Sequence, residues 1–531
     1  MASSFLNILP TAALYTLGIL VPLALFYLSY QVTFHPLRAY PGPLIAKFTN
    51  AYGAFHVVRR CMHLATYNDH LRYGSVVRLG PNRLVFNTAA AEDIYANSRV
   101  NKGRSYSYVS RSGNPSMWST LDREAHHRKR KLVGPVVSER SMRAFEPTMS
   151  ATMDIFLRQL LESSQQGSPV NMTERCERLA VDIVGLLAFG YPLNTQTEET
   201  NKLVPDSLKT TSTLSTLIMA WPATRIVAPL LGWLGRKRAA TFRLALRKMI
   251  GARMALPKDA KHDFYALATG EISPGEQGLS AAELWPEAVF FIAAGGGTVN
   301  TAMTASFFYL SRYPAAYAHL AREIRTTFSS GREIRQGPRL AGCKYLRAVI
   351  DEVLRIAPAS LAYTWREQDT SSAAAGETLV VDGHIIPPGT EVAVNLYALL
   401  HNAEYFPEPF NFQPGRWLAH EHETDQEREV RATMRRAFQP FLLGDRGCAG
   451  KAMAYLELSM ALAKTIWYFD FERAPGEAGK VGEGIPGRDG WRGRQNEFQL
   501  YDGVVVSHDG PNLVFKARER YWEDIEAGET N

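Results

Sequence analysis

From about residue 8 to residue 32 the chain is almost wholly apolar. Leu14, Leu17, Ile19, Leu20, Val21, Leu23, Leu25, Phe26 and Leu28 fall in this run, and no charged side chain occurs before Arg38. About 20 apolar residues cross the hydrocarbon core of a bilayer. A cleaved leader has a basic start, a shorter apolar stretch and small residues at the cut. Here the basic start is missing and the apolar run is long, so the pattern predicts a retained transmembrane anchor over 8–32. Pro36 and Tyr40-Pro41-Gly42-Pro43 follow. Proline fixes φ and resists helix continuation, which predicts a stiff hinge over 33–50. Arg38, Lys47, Arg59 and Arg60 lie just beyond the span. Positive residues stay cytoplasmic, so the large C-terminal part is expected in the cytosol.

Beyond the hinge the pattern changes. Val76, Val77, Leu79, Leu84, Val85 and Phe86 alternate around Gly80-Pro81-Asn82, the signature of a hairpin. Helical spacing dominates from about 122 to 360. Short strand patterns return at 378–395, with turns at Asp382-Gly383 and Pro388-Gly389. A proline-free helical stretch runs from Lys451 to about Tyr468, and 475–494, rich in glycine and charge, reads as an exposed loop. No linker and no solenoid-length repeat interrupts the rest. The expectation is one large domain over 51–531, mostly α with a smaller β portion.

Composition narrows the function classes. Hydrophobic residues make up 46% of the chain and charged residues 21%, with a net charge of +7, which is ordinary globular composition. There is no zinc-finger spacing and no basic-aromatic repeat, so no nucleic-acid partner is expected. The four cysteines, Cys61, Cys176, Cys343 and Cys448, are far apart. That excludes a disulfide framework or a zinc site and fits a reducing compartment, where the Asn171-Met172-Thr173 sequon stays idle.

The most informative stretch is Phe441-Leu442-Leu443-Gly444-Asp445-Arg446-Gly447-Cys448-Ala449-Gly450. It places Cys448 just before a helix N-terminus, where exposed N–H groups and the positive dipole end favour a thiolate. Gly444 and Gly447 permit a tight turn around the sulfur, and Gly450 lets the helix approach a flat cofactor. Arg446 suits a cofactor carboxylate. A lone cysteine near glycine is otherwise a small buried residue. All fixed positions of F-x-x-G-x-R-x-C-x-G are present, and on them the chain resembles the cytochrome P-450 family of heme-thiolate monooxygenases.

The resemblance implies that Cys448 is the axial ligand to the iron of heme b (iron protoporphyrin IX), with Phe441, Gly450 and Arg446 around the cofactor. Thiolate ligation directs electron density that favours O–O cleavage. Glu352-Val353-Leu354-Arg355 resembles the family's E-x-x-R helix, and Phe412 to Trp417 its later partner segment; Glu352, Arg355 and Arg416 are then a structural triad. Gly415 departs from the glutamate frequent there. His126 and Arg130 resemble a propionate-binding pair four residues apart, and Arg366 another propionate-binding arginine. Arg128, Lys129, Lys131, Arg435 and Arg436 are expected to form a basic face for an acidic electron donor, with salt-sensitive attraction. The resemblance further implies NADPH-cytochrome P-450 reductase, with cytochrome b5 as a second donor, and a single-pass position in the endoplasmic reticulum membrane. The style of the C-terminal stretch Glu497 to Asp502 resembles filamentous-fungal enzymes of specialised metabolism.

Ser280-Ala281-Ala282-Glu283 fits a capping box opening an apolar helix that runs to about Arg312, before Pro314. Inside it lie Gly295, Gly296 and Gly297, each costing about 1 kcal/mol relative to alanine. Close approach of the backbone to a cofactor, or an opened hydrogen-bond ladder, gives a reason; a break between two helices is the alternative. The segment resembles the family's A-G-x-D/E-T motif, which implies that Thr298 is the catalytic threonine acting on iron-bound oxygen. Gly297 replaces the acid, removing the usual proton relay. Pocket residues are expected near Tyr106–Trp118, Phe290–Thr298, Ala359–Tyr363 and Val505–His508, suiting a lipophilic ligand. The reading is a monooxygenase that uses dioxygen and reductase-supplied electrons to oxidise a lipophilic secondary metabolite by hydroxylation, oxidative coupling or ring formation. Two alternatives stand beside it: a reductase-independent heme-thiolate isomerase or dehydratase, and a non-enzymatic heme-binding protein.

Overall fold

In a computed structural model the apolar N-terminal run forms a helix, Ala2–Thr33, whose portion Tyr15–Thr33 has the length and mean hydropathy (1.5) to cross a membrane. The structure describes all residues except 1, 90, 111–112, 202–203, 228, 231–232, 234–235, 258–262, 270–277, 489–490 and 527–531. Leu17, Leu20, Leu25 and Phe26 of this helix are exposed, as an element facing lipid requires. Its lower end is tied to the domain by one buried side chain. Arg78 donates to Gln31 Oε1 at 2.6 Å, to Pro81 O at 2.8 Å and, more weakly, to the Gln31 and Leu37 carbonyls.

Two walls make the body. The smaller is a five-stranded sheet in which β1 (Val76–Gly80) and β2 (Arg83–Phe86) form the expected hairpin. β2 pairs in parallel with β8 (Glu391–Val394), followed by β5 (Arg366–Gln368) and β3 (Val100–Lys102). The turn pair β6 (Leu379–Val381) and β7 (His384–Ile386) sits over Asp382 and Gly383, both at positive φ. The helical wall is larger and contains most of the buried apolar side chains, among them Met149, Met172, Ile183, Phe307, Phe308 and Ile466. Each such burial contributes roughly 1.5–3 kcal/mol. The domain is thus mostly helical with a smaller β portion.

The E-x-x-R helix, Lys344–Ile356, carries a buried charge cluster. Glu352 accepts from Arg355 at 2.8 and 2.9 Å, from Arg416 at 3.2 Å, and from Gln413 N and Trp417 Nε1 at 2.9 Å each. Arg355 spends its remaining donors on the Leu400, Pro409 and Asn411 carbonyls. Glu352 and Arg355 are wholly buried. The described part of the stretch 475–494 is mostly exposed, as its composition predicts, while Arg492 within it is buried and donates to Gln499, Leu500 and Arg60.

Candidate active site

Between the two walls lies a cavity of about 700 Å³. Phe441, Cys448, Gly450, Arg446, Arg130, His126, Arg366 and Thr298 all line it. These residues come from four parts of the chain, and the fold brings every one of them to the same chamber.

The cysteine loop is shaped by its glycines. Gly444 has φ 68°, and a Cβ there would run into the Tyr95 carbonyl, so no other residue fits. Cys448 N donates to Phe441 O at 2.9 Å, and Gly447 N to Gly444 O at 2.9 Å. Gly450 precedes the helix Lys451–Tyr468, which has no side-chain cap, and a Cβ there would meet open space. Cys448 is accessible, yet protein encloses it on nearly every side; its open surface faces the cavity. Burial pushes its thiol up, against the Gly450 N–H, Arg130 and Lys451. The helix end alone therefore does not make the thiolate. A metal cation held by Cys448 would, because a coordinating thiol is deprotonated outright.

Beside the loop, basic groups converge. Arg446 donates to Thr120 O, Leu121 O and Asn101 Oδ1 at 3.0 Å each, and burial with Arg366 and Arg123 lowers it to about 10. Arg130 donates to Gly447 O at 2.7 Å. Arg366 on β5 is buried and stacks over Tyr95. His126 is pushed down to about 3 by burial, then by Arg446, Lys102 and Arg130. Lys102 on β3 joins them, held by the Met117 and Trp118 carbonyls at 2.8 and 2.6 Å, and is lowered by burial and then by Arg446. Among the described residues no carboxylate forms an ion pair with Lys102, Arg130, Arg366 or Arg446. A group carrying two carboxylates and a soft-ligand metal fits this set: anions for the converging cations, a thiol for the metal.

The basic run on the helix Arg123–Val136 divides. Lys129 is buried on Glu287 at 2.8 Å and Arg128 pairs with Glu283, so neither belongs to an exposed basic face. Lys131, Arg435 and Arg436 are exposed.

The glycine run lies in one continuous helical rod: Ala281–Phe291, a π-helical turn Ile292–Gly296, then Gly297–Leu310. The hydrogen-bond ladder therefore opens without a break. Close packing explains the glycines as well. A Cβ on Gly295 would stand 2.6 Å from Val184 Cγ2, and one on Gly296 2.9 Å from Val181 Cγ2. A Cβ on Gly297 would overlap Val505 Cγ1. Thus the position of the missing acid is filled from across the site. Thr298 Oγ1 donates to Ala294 O at 2.6 Å. Val109, Trp118, Phe290, Phe291 and Val505 line the chamber as expected. Tyr363 does not and is buried in another cluster, and His508 faces a separate small cavity. Sequence reasoning missed Lys102, and also Val133, Leu187, Phe242 and Leu246, which no motif marks.

The Cytochrome P450 family model matches residues 51–482. The chain is 32% identical to cytochrome P450 monooxygenase atnE of Emericella nidulans, over 94% of this chain and 96% of that one. It is 31% identical to cytochrome P450 monooxygenase apf7 of Gibberella fujikuroi (92% and 95%), and 30% identical to cytochrome P450 monooxygenase AKT7 of Alternaria alternata (94% and 97%). The class these findings define is that of heme-dependent monooxygenases. The chain belongs to the cytochrome P450 family, and is an oxidoreductase that uses heme iron, a redox-partner reductase drawing on NAD(P)H, and a small-molecule substrate.

Proposed function

We propose that the enzyme oxidises a lipophilic fungal secondary metabolite by hydroxylation, oxidative coupling or ring formation, with heme b held through Cys448. The observation that carries this is the single chamber in which Cys448, the unpaired cations and Thr298 share walls with Trp118, Phe290 and Phe291. Cys448 supplies the thiolate, and Phe441 and Gly450 leave room for a flat ring. Arg130, Arg366, Arg446 and His126 face the propionates. Bound heme supplies dioxygen activation, favoured by its thiolate ligand. Thr298, anchored on Ala294 O, holds a hydroxyl that passes protons within the chamber. The apolar walls exclude water and orient the substrate.

Electrons come from NADPH-cytochrome P-450 reductase, with cytochrome b5 as an additional donor, docking where Lys131, Arg435 and Arg436 are exposed. Residues 8–32 anchor the chain in the endoplasmic reticulum membrane, residues 33–50 form the hinge, and 51–531 form the cytosolic catalytic unit. Relatives at about 30% identity across nearly the whole chain, all named monooxygenases from fungi, support this reading.

Two measurements test it. Cys448→Ser removes the thiolate and is expected to abolish the red-shifted Soret band of the reduced carbonyl complex; a retained band refutes the ligand. Deleting the gene in its host is expected to accumulate a lipophilic precursor that membranes bearing the enzyme convert only with NADPH. Conversion without NADPH refutes the reductase-dependent reading.

A further inference from the structure

A second cavity lies behind the π-turn. It measures about 30 Å³, and since one water needs roughly 10–15 Å³ it holds about two. Gly296 and Gly297 form one wall. Thr173, Glu177, Lys209, Asn300 and His508 supply its polar groups. Ala293 and Val505 line both this cavity and the main chamber, so the partition between the two is one layer of π-turn backbone and one valine. A π-turn widens the helix and loosens its ladder at this place, where water most readily inserts.

The polar groups reach the cavity as three separate hydrogen-bonded sets, one of which begins near the outside. Lys209 is one-third exposed and donates to Glu177 at 2.9 Å, whose carboxylate is largely buried. Thr173 Oγ1 donates to Gly510 O at 2.7 Å, so it accepts from His508 Nδ1 at 2.8 Å. His508 is then a neutral ring with its Nε2 lone pair left to accept, in keeping with its lowering to about 3 by burial. Asn300 Oδ1 accepts from Thr304 at 3.0 Å, which leaves its amide hydrogens as donors. Acceptor, donor and carboxylate thus surround a space of water size, next to the residue that lacks the family's acid.

We infer that this cavity holds ordered water, positioned by Asn300 and His508, and that Glu177 passes the reaction's protons through that water, past Gly297, to Thr298. In monooxygenation one oxygen atom enters the substrate and the other leaves as water, taking up two electrons from the reductase and two protons. Each proton passed from the cavity water to the Thr298 side is replaced through Glu177 from the solvent-facing Lys209 end. Val505 stands where an acid at position 297 would, and the route behind the helix takes over its work. The inference rests on Thr298 facing bound heme, so the test separates the two.

The full chain is loaded with heme and paired with reductase in lipid vesicles. A high-resolution structure of it is expected to show ordered water between Asn300 and the π-turn; a dry cavity overturns the proposal and requires no variant. Glu177→Gln and Asn300→Val are expected to keep the reduced-carbonyl band, to lower product per NADPH by at least about tenfold, to raise peroxide release and to increase the solvent deuterium isotope effect. Unchanged coupling and isotope effect in both variants overturn it, whereas loss of the carbonyl band in Cys448→Ser bears only on the ligand. Gly297→Asp with Val505→Gly, placed on Glu177→Gln, restores an acid with room for it. Recovered coupling is expected; a folded, heme-loaded protein that stays uncoupled counts against the relay.

Discussion

Two buried clusters of basic side chains share this domain, and they differ in one respect. Around Glu352, two guanidinium groups share one carboxylate within the protein: both of its oxygens accept, and Arg355 fills its remaining donors with carbonyls. Around Arg446, the cations Lys102, Arg130 and Arg366 converge, and among the described residues they bind neutral oxygens and no carboxylate. Burying unpaired charge is costly. A protein that gives one cluster an internal carboxylate and the other none among the described residues has built the first for its own stability and the second for an anionic ligand.

The contrast can be broken at several points. Glu352→Ala strands two buried guanidinium groups, and breaking such a pair costs about 3–5 kcal/mol. Chemical denaturation is expected to show that loss with and without heme. Arg446→Leu acts oppositely: it relieves repulsion in the protein alone, so apoprotein stability holds or rises. Heme retention falls by about ten- to a hundredfold, as loss of a charge-assisted hydrogen bond of about 1.5–3 kcal/mol implies. Competition with a heme-scavenging protein measures it.

His126 sharpens the contrast through pH. Its folded value lies near 3, below the ordinary 6.5, so the unfolded chain binds the proton first. Its contribution to apoprotein stability is full above about 6.5 and is lost as pH falls toward 3. Acid titration of His126→Gln is expected to show a flatter decline than the native protein over that window; identical curves would disprove the burial argument. The smallest effect belongs to the exposed pair Arg436–Glu429, 3.5 Å apart. Arg436→Ala is expected to change stability by no more than about 0–1 kcal/mol, while slowing reduction by the reductase most at low salt.

Legibility followed the reach of each interaction. The cysteine loop and the E-x-x-R pair are local, and ten or four consecutive residues displayed them whole. Helix and hairpin positions followed from periodicity, and even the opened ladder at Gly295–Gly297 was foreshadowed by the cost of three glycines. The reason Gly297 carries no side chain lay two hundred residues away in Val505, beyond any local pattern. Lys129 looked like a solvated charge because its partner, Glu287, comes from another helix. Lys102 sits in a three-residue strand, where a single lysine carries no signal. Tyr363 matched a pocket-lining segment, yet its neighbours in the fold turned it into the core.

The grip of Arg78 on Gln31 and on the chain near Leu37 has a consequence for how the enzyme meets its substrate. A catalytic body on a loose leash would tumble beneath the bilayer and sample every orientation. With the foot of the N-terminal helix clamped to the sheet, helix and domain keep a set angle, so a bilayer crossed by that helix would always meet the same face. Shortening the chain upstream of Gln31 preserves the clamp; cutting beyond it frees the guanidinium and the tilt together.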